Sequence, residues 1–374
     1  MKSAEPEAKM PASHAHGGKP GNLFARYGLA ERDVVDLSVN LNPLGIPDSI
    51  RKAWPQLIES LTPYPSSDGE GIRRFYQERF ALSPDRILPG NGSIELMYAA
   101  TQTLRPRRTL ILTPSFHDYE QAVRTSGGEV LPIPRNLEEP VDEFLTGECF
   151  QKALTTVDSV FLGSPNNPDG QAVPRETLLH VCRSNPDTLF FVDQAFVQFL
   201  DEERYSLLRN DSLLPNLIVF SSLTKFYALA GLRLGAVIAV PSIIQKLQRQ
   251  RPPWLVNGLA ERCAQILLED RDYESRTHQW LRTACTSFDR KIARIPSVHS
   301  YPSQTNFRLL RLTSPDRYDS VLRELLQRGF HVRCCRNFEG LSEGHFRICL
   351  DTPERNQKFL HALKSSLQAA PIPS

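Results

Sequence analysis

Long hydrophobic runs are missing from this sequence. GAVIAV is among its longest apolar stretches, and none approaches the roughly 20 residues that span a bilayer. No membrane partner is expected. The seven cysteines (Cys149, Cys182, Cys263, Cys285, Cys334, Cys335 and Cys349) are odd in number, scattered and never spaced C-x-x-C. That argues against a disulfide framework and against a zinc site, and reduced thiols in a cytoplasm fit best. Neither sign of charge is in excess: 44 Lys and Arg stand against 42 Asp and Glu, a net +2, so no broad polyanion-binding surface is implied. Nucleic acid is not expected as a partner, and RPRR at 105–108 reads as solvated loop charge. No internal repeat of about twenty to fifty residues is visible. The opening segment MKSAEPEAKMPASHAHGGKPG carries no continuous apolar stretch of the export type, so a soluble, unexported, cytoplasmic protein is expected.

What is present is enough apolar residue for a large core. Over 374 residues, 40% are hydrophobic and 23% charged, which suits one large domain plus a smaller one. DLSVNLNPLGIP alternates briefly and then breaks at Asn-Pro and Gly, a short strand running into a turn. From about residue 66 an α/β rhythm sets in: GEGIRRFYQERF helical, ILPGNGS a turn, SIELMYAATQTL helical, RTLILTPSF a buried strand. DSVFLGSPNNPDG, TLFFVDQAF, NLIVFSSLTK and LRLGAVIAV follow, four apolar runs suited to strands covered on both faces. Each of these runs gives way to polar residues. Ligands bind outside the carboxyl ends of such strands, so SPNNPDG, DQAF and SSLTK are expected to converge on one crevice. The C-terminal third changes to a smaller α+β pattern. The expected division is 1–55 as N-terminal arm and part of the small domain, 56–280 as the large domain, and 281–374 as the C-terminal small domain.

Singly, the polar residues of these segments are ambiguous. Lys225 reads equally as an exposed lysine, Asp193 as a strand-end cap, GNGS as a generic turn and Phe116 as core. Together they point to one chemistry. A lysine amine, an aspartate behind an apolar strand, an aromatic after Pro-Ser, a Gly-Ser helix start and an arginine are what a pyridoxal phosphate enzyme needs.

The ordered motifs HGG, NLNPLG, YPSSDG, GNGS, PSFHDY, SPNNPDG, DQAF, SSLTK with GLRLGA, TNF and FRICL resemble the fold-type I aminotransferase family. The resemblance runs from about His16 to about residue 365 and is to the branch containing histidinol-phosphate aminotransferase and threonine-phosphate decarboxylase. It implies an α/β fold with a mostly parallel sheet between helices, and pyridoxal 5'-phosphate as cofactor, with no metal. It implies that Lys225 bonds the cofactor and moves protons at the substrate carbon, and that Asp193 pairs with the pyridinium nitrogen. Asn167 would serve the ring oxygen, and Phe116 would stack on the ring. Gly92, Ser93 and Ile94 at a helix start, with Ser222, Thr224 and Arg233, would hold the phosphate. Tyr64 of PYP would reach the cofactor of a neighbouring subunit, making the protein a homodimer with shared sites.

Arg347 of HFRICL and Arg333 of VRCCRNF match the family's anchors for substrate anions. His16 and Gly17 of HGG, Asn42 of NLNPLG and the RNFEGL stretch resemble the substrate segments of the threonine-phosphate decarboxylases, and Phe196 agrees with that side. The expected activity is therefore decarboxylation of a phosphorylated amino acid, O-phosphothreonine first. Transamination of histidinol phosphate is the alternative, and phosphoserine is an alternative substrate. Lys19, Gln194 and Cys334 depart from the branch's pattern, and the extra Arg336 is expected to make the pocket more cationic.

Overall fold

The computed structural model describes Gly18 and residues 23–368; His16, Gly17, Lys19 and the final AAPIPS lie outside the described residues. A two-residue strand, β1 (Val35–Asp36), comes first. The rest of DLSVNLNPLGIP is loop, as its Asn-Pro and Gly breaks require.

Seven strands build the main sheet: β2 (Ile87–Asn91), β3 (Arg108–Thr113), β4 (Glu129–Pro134), β5 (Ser159–Gly163), β6 (Leu189–Asp193), β7 (Leu217–Ser222) and β8 (Leu234–Ile238). Their spatial order is β2-β8-β7-β6-β5-β3-β4. The five strands from β7 to β4 are mutually parallel, while β8 runs antiparallel to β7 and β2 antiparallel to β8. The central strands are apolar throughout because both faces are covered. Val160, Phe190, Val192 and Val219 enter one core, and Phe161, Phe191, Ile218 and Phe220 enter the other.

Two strands differ from the sequence reading. ILPGN is not a turn but β2, paired with β8 from Ile87↔Ile238 to Asn91↔Leu234, and EVLPIP is β4. Pro89, Pro132 and Pro134 hide both, since proline removes a ladder donor. Both strands lie at the sheet's edges, where a missing donor costs least.

The C-terminal strands are β9 (Val298–Ser300), β10 (Phe307–Leu312), β11 (Phe330–His331), β12 (Arg333–Cys334) and β13 (His345–Cys349). Four of them form an antiparallel sheet in the order β12-β13-β10-β9, and β11 pairs in parallel with β1. Leu23, Phe24 and Leu37 pack into this second core, so the N-terminal segment joins the C-terminal one. Helix Arg271–Ile292 runs through residue 280, where the composition changes. Its Tyr273 and Leu281 belong to the main core, and its Ala284, Phe288 and Ile292 to the C-terminal core.

Among the described residues no helix is long and apolar enough to cross a membrane, and none of the His, Cys, Asp and Glu residues cluster as a metal site. The cysteines are free thiols.

Candidate active site

The carboxyl ends of three neighbouring parallel strands deliver the chemistry. The loop after β5 carries Asn167, β6 ends on Asp193, and β7 ends on Ser222 just before Thr224 and Lys225. All five residues line one open cleft, together with Ser93, Ile94, Phe116 and Arg233. Arg333 and Arg347 reach the same cleft from the C-terminal sheet.

An anion cradle occupies one end. Helix Gly92–Leu104 begins at the cleft, so its first N–H groups and its dipole favour negative charge there. Gly92 has φ +80°, and a Cβ on it would lie 2.5 Å from Arg233 Nη2. Arg233 is itself left-handed at φ 57°. The hydroxyls of Ser222 and Thr224 are 2.7 Å apart beside it.

Gly235 in β8 completes the cradle, and sequence reasoning passed over it although GLRLGA contains it. A Cβ there would sit 2.6 Å from the Ser93 backbone nitrogen, so only glycine lets the helix start approach the sheet. Gly235→Ala is expected to displace that helix start and cost about 1–3 kcal/mol of stability. It should weaken cofactor binding at the same time; denaturant unfolding and cofactor titration of the same sample check both effects.

Burial sets the two central ionisable groups. It pulls the Lys225 amine down to about 8, helped by the positive charges of Arg347 and Arg233 and opposed by Asp193. Asp193 is pushed up to about 6 by burial, against the hydrogen bonds that favour its charge. Tyr119 Oη donates to Asp193 Oδ2 at 2.7 Å, and the Ala195 N–H donates to Oδ1 at 3.0 Å. Tyr119 is a second residue missed in the sequence: PSFHDY contains it, but a buried aromatic stacked on Phe161 at 4.4 Å looks like plain core. Phe116 lines the cleft and meets Tyr119 edge-on at 5.6 Å.

Arg347 is buried, and its guanidinium donates to Asn167 Oδ1 and to the Ser38 carbonyl oxygen, the latter at 2.8 Å. Burial lowers its pKa to about 10. Arg333 donates to Asn337 Oδ1 at 2.8 Å and lies over the Phe338 ring at 5.4 Å. Phe196 lines the cleft and meets Phe307 edge-on.

Several expected residues sit elsewhere. Asn42 does not line the cleft: it is buried, donating through Nδ2 to Phe226 O at 2.8 Å and Thr277 Oγ1 at 2.7 Å, and its N–H donates to Lys225 O at 3.1 Å. It braces the backbone at Lys225. Ser38, Val39 and Asn40 of that segment line the cleft, and the buried Asn40 Oδ1 has no partner among the described residues. Tyr64 is 85% exposed and packs against Trp254, outside the cleft. Arg336 does not add charge to the cleft; both its Nη atoms bond Asp319 at 2.8 Å, a partner no local sequence signal reveals. Gln194 turns away, bonding Tyr205 O and the Leu207 N–H. His16 and Gly17 lie outside the described residues, while the Gly18 N–H donates to Ser38 Oγ at 2.8 Å at the cleft's edge.

This donor set fits pyridoxal 5'-phosphate. A glycine-opened helix start with an arginine suits a phosphate, a desolvated amine suits an aldehyde, and a buried carboxylate suits a protonated ring nitrogen. The fold and cleft thus define a pyridoxal phosphate enzyme of the fold-type I class.

Residues 32–363 match the aminotransferase class I and II family, and the chain belongs to it. It is similar to a threonine-phosphate decarboxylase of Salmonella typhimurium, 31% identical over 359 residues, covering 94% of this chain and 96% of that protein. It is also similar to histidinol-phosphate aminotransferase 2 of Ralstonia nicotianae, 31% identical with 94% of each chain covered. Among solved structures it resembles L-threonine-O-3-phosphate decarboxylase from Porphyromonas gingivalis. That likeness has a TM-score of 0.79 at 28% identity, covering 89% of this chain and 99% of that one.

Proposed function

We propose that this chain decarboxylates L-threonine O-3-phosphate to (R)-1-aminopropan-2-yl phosphate, a step in building the nucleotide loop of cobalamin. The observation that carries the reading is the pair Arg347 and Arg333 entering the cleft from one sheet, separate from Arg233 at the helix start. Two such anchors suit a substrate with two anionic groups, and bidentate guanidinium pairing serves carboxylate and phosphate alike. The Salmonella relative's name supports the decarboxylase assignment.

In this reading the two arginines orient the bond between the α-carbon and the carboxylate. Asn40 offers its unpartnered oxygen to a donor on the substrate. The Lys225 amine, held near 8, delivers a proton to the α-carbon once CO₂ has left. Asp193 keeps its charge facing a protonated ring nitrogen. The bound cofactor supplies the electron sink for the pair left when the carbon–carbon bond breaks. Phe116, Phe196 and Phe338 give the cleft apolar walls that keep water from the reacting carbon.

The chain acts as a homodimer in this proposal. Trp54, Ile58, Leu61, Tyr64 and Trp254 are large exposed hydrophobics, and a subunit interface covering them would bring Tyr64 to the partner's site. Residues 56–280 form the cofactor-binding body, the flanking segments close on the substrate, and the free cysteines suit a reducing cytoplasm.

Incubation of the cofactor-loaded protein with phosphothreonine is expected to release CO₂ stoichiometrically with the amine product. Amino transfer from histidinol phosphate to 2-oxoglutarate without CO₂ release would overturn the proposal in favour of the transaminase reading, which the Ralstonia relative supports. Comparing phosphothreonine with phosphoserine in the same assay settles which phosphorylated amino acid is preferred.

A further inference from the structure

Asn167 lies on a loop that is anchored from two sides. Asp169 Oδ2 accepts from Arg135 Nη2 at 2.6 Å and from Asn166 Nδ2 at 2.6 Å, and Oδ1 accepts from the Gln171 N–H at 2.7 Å. Asn166 Nδ2 also donates to Pro114 O at 3.0 Å, two residues before Phe116. Arg135 directly follows β4, and its N–H donates to Thr113 O at the end of β3. One ion pair therefore ties the loop to the ends of two strands.

From the other side the Gln304 N–H donates to Gly170 O, and the Ala172 N–H donates to Gln304 Oε1, both at 3.0 Å. A Cβ on Gly170 would lie 2.1 Å from Ser303 Oγ. Residue 304 leads into β10, in which Leu309 sits opposite Arg347 of β13. Asn167, accepting from Arg347, lies between the two anchorages.

The Arg135 and Asp169 side chains are 1% and 0% exposed. A pair so buried gains little stability over apolar residues of the same volume, because desolvation offsets the attraction. What it adds is direction. A planar guanidinium and a carboxylate taking three donors admit one loop geometry, where an apolar contact would admit several.

We propose that the buried Arg135–Asp169 pair is a positioning device that fixes Asn167, and through Asn167 the Arg347 guanidinium, for cofactor and substrate. The proposal rests on the reading of the cleft as a cofactor site.

Its test is the pH titration of the bound cofactor's visible band without substrate, joined to steady-state kinetics and thermal unfolding. The double variant R135L/D169N removes both charges and strands neither. It is expected to unfold near the wild-type temperature, with the band's midpoint displaced by roughly half a pH unit or more. KM for the anionic substrate should rise on the order of tenfold, with a smaller change in kcat. Asp169→Asn alone is isosteric and keeps an acceptor for the Gln171 N–H; it is expected to displace the midpoint in the same direction. A folded variant of either kind with wild-type midpoint and KM, whatever its unfolding temperature, overturns the proposal and leaves the pair a structural contact. A wild-type protein that takes up cofactor without any visible band would count against the cofactor reading instead.

Discussion

Lys225→Ala is expected to lose the visible absorbance of the bound cofactor at every pH and to lower turnover by a factor on the order of 10⁴ or more. In the proposed function the same amine bonds the cofactor and moves the proton, and proton transfer by a positioned group alone contributes up to about 10⁴. A surviving band would mean that the bonded amine is another lysine. The environment of Lys225 adds a signed effect on stability. Burial lowers its pKa from 10.5 to about 8, so the folded chain holds this proton less firmly than the unfolded chain does. The charge therefore destabilises the cofactor-free protein below about pH 8, and the penalty fades as pH rises toward 10.5. Lys225→Met, which keeps most of the volume, should make the cofactor-free protein more stable than wild type at pH 7. The gap should close in alkaline denaturant titrations.

Most of the strand framework was legible because its physics is local. β5, β6, β7 and β8 are apolar along their length since both faces are covered; β5, β6 and β7 end in polar residues at the cleft, and the antiparallel β8 starts there, just after Arg233. β2 and β4 were not legible, since Pro89, Pro132 and Pro134 imitate loop, and only their edge positions make proline tolerable. The same division runs through the site. Asp193 ends β6, Asn167 and Lys225 follow the ends of β5 and β7, and Arg233 directly precedes β8, so apolar strand runs flag all four. Asn40 and Asn42 lie two residues apart in an irregular loop with no period, so nothing in the sequence says which one faces the cleft. Tyr119 and Arg336 owe their roles to Asp193 and Asp319, partners distant in sequence that only the fold brings together. Tyr64 is exposed, and the role proposed for it depends on a second subunit.

Asp193→Asn is expected to leave the fold intact and cut turnover roughly 10²–10³-fold, the usual effect of removing one preorganised electrostatic group. The amide keeps an oxygen for the Ala195 N–H or the Tyr119 hydroxyl, yet it carries no charge to hold a proton on the cofactor's ring nitrogen. Stability should move the other way. Burial raises the Asp193 pKa from 3.8 to about 6, so in the cofactor-free protein its ionised form is a liability. That liability is absent below about pH 3.8, grows as pH rises through 6, and is fully present at pH 7. The shift corresponds to about 3 kcal/mol. Unfolding of the cofactor-free variant should accordingly show less loss of stability between pH 4 and 7 than wild type. Adding cofactor should restore stability to wild type more than to the variant, because only the carboxylate gains a cationic partner. A variant with wild-type turnover and an unchanged pH–stability curve would show that the ring nitrogen's partner lies elsewhere, and that Tyr119 and Ala195 hold Asp193 only as part of the core.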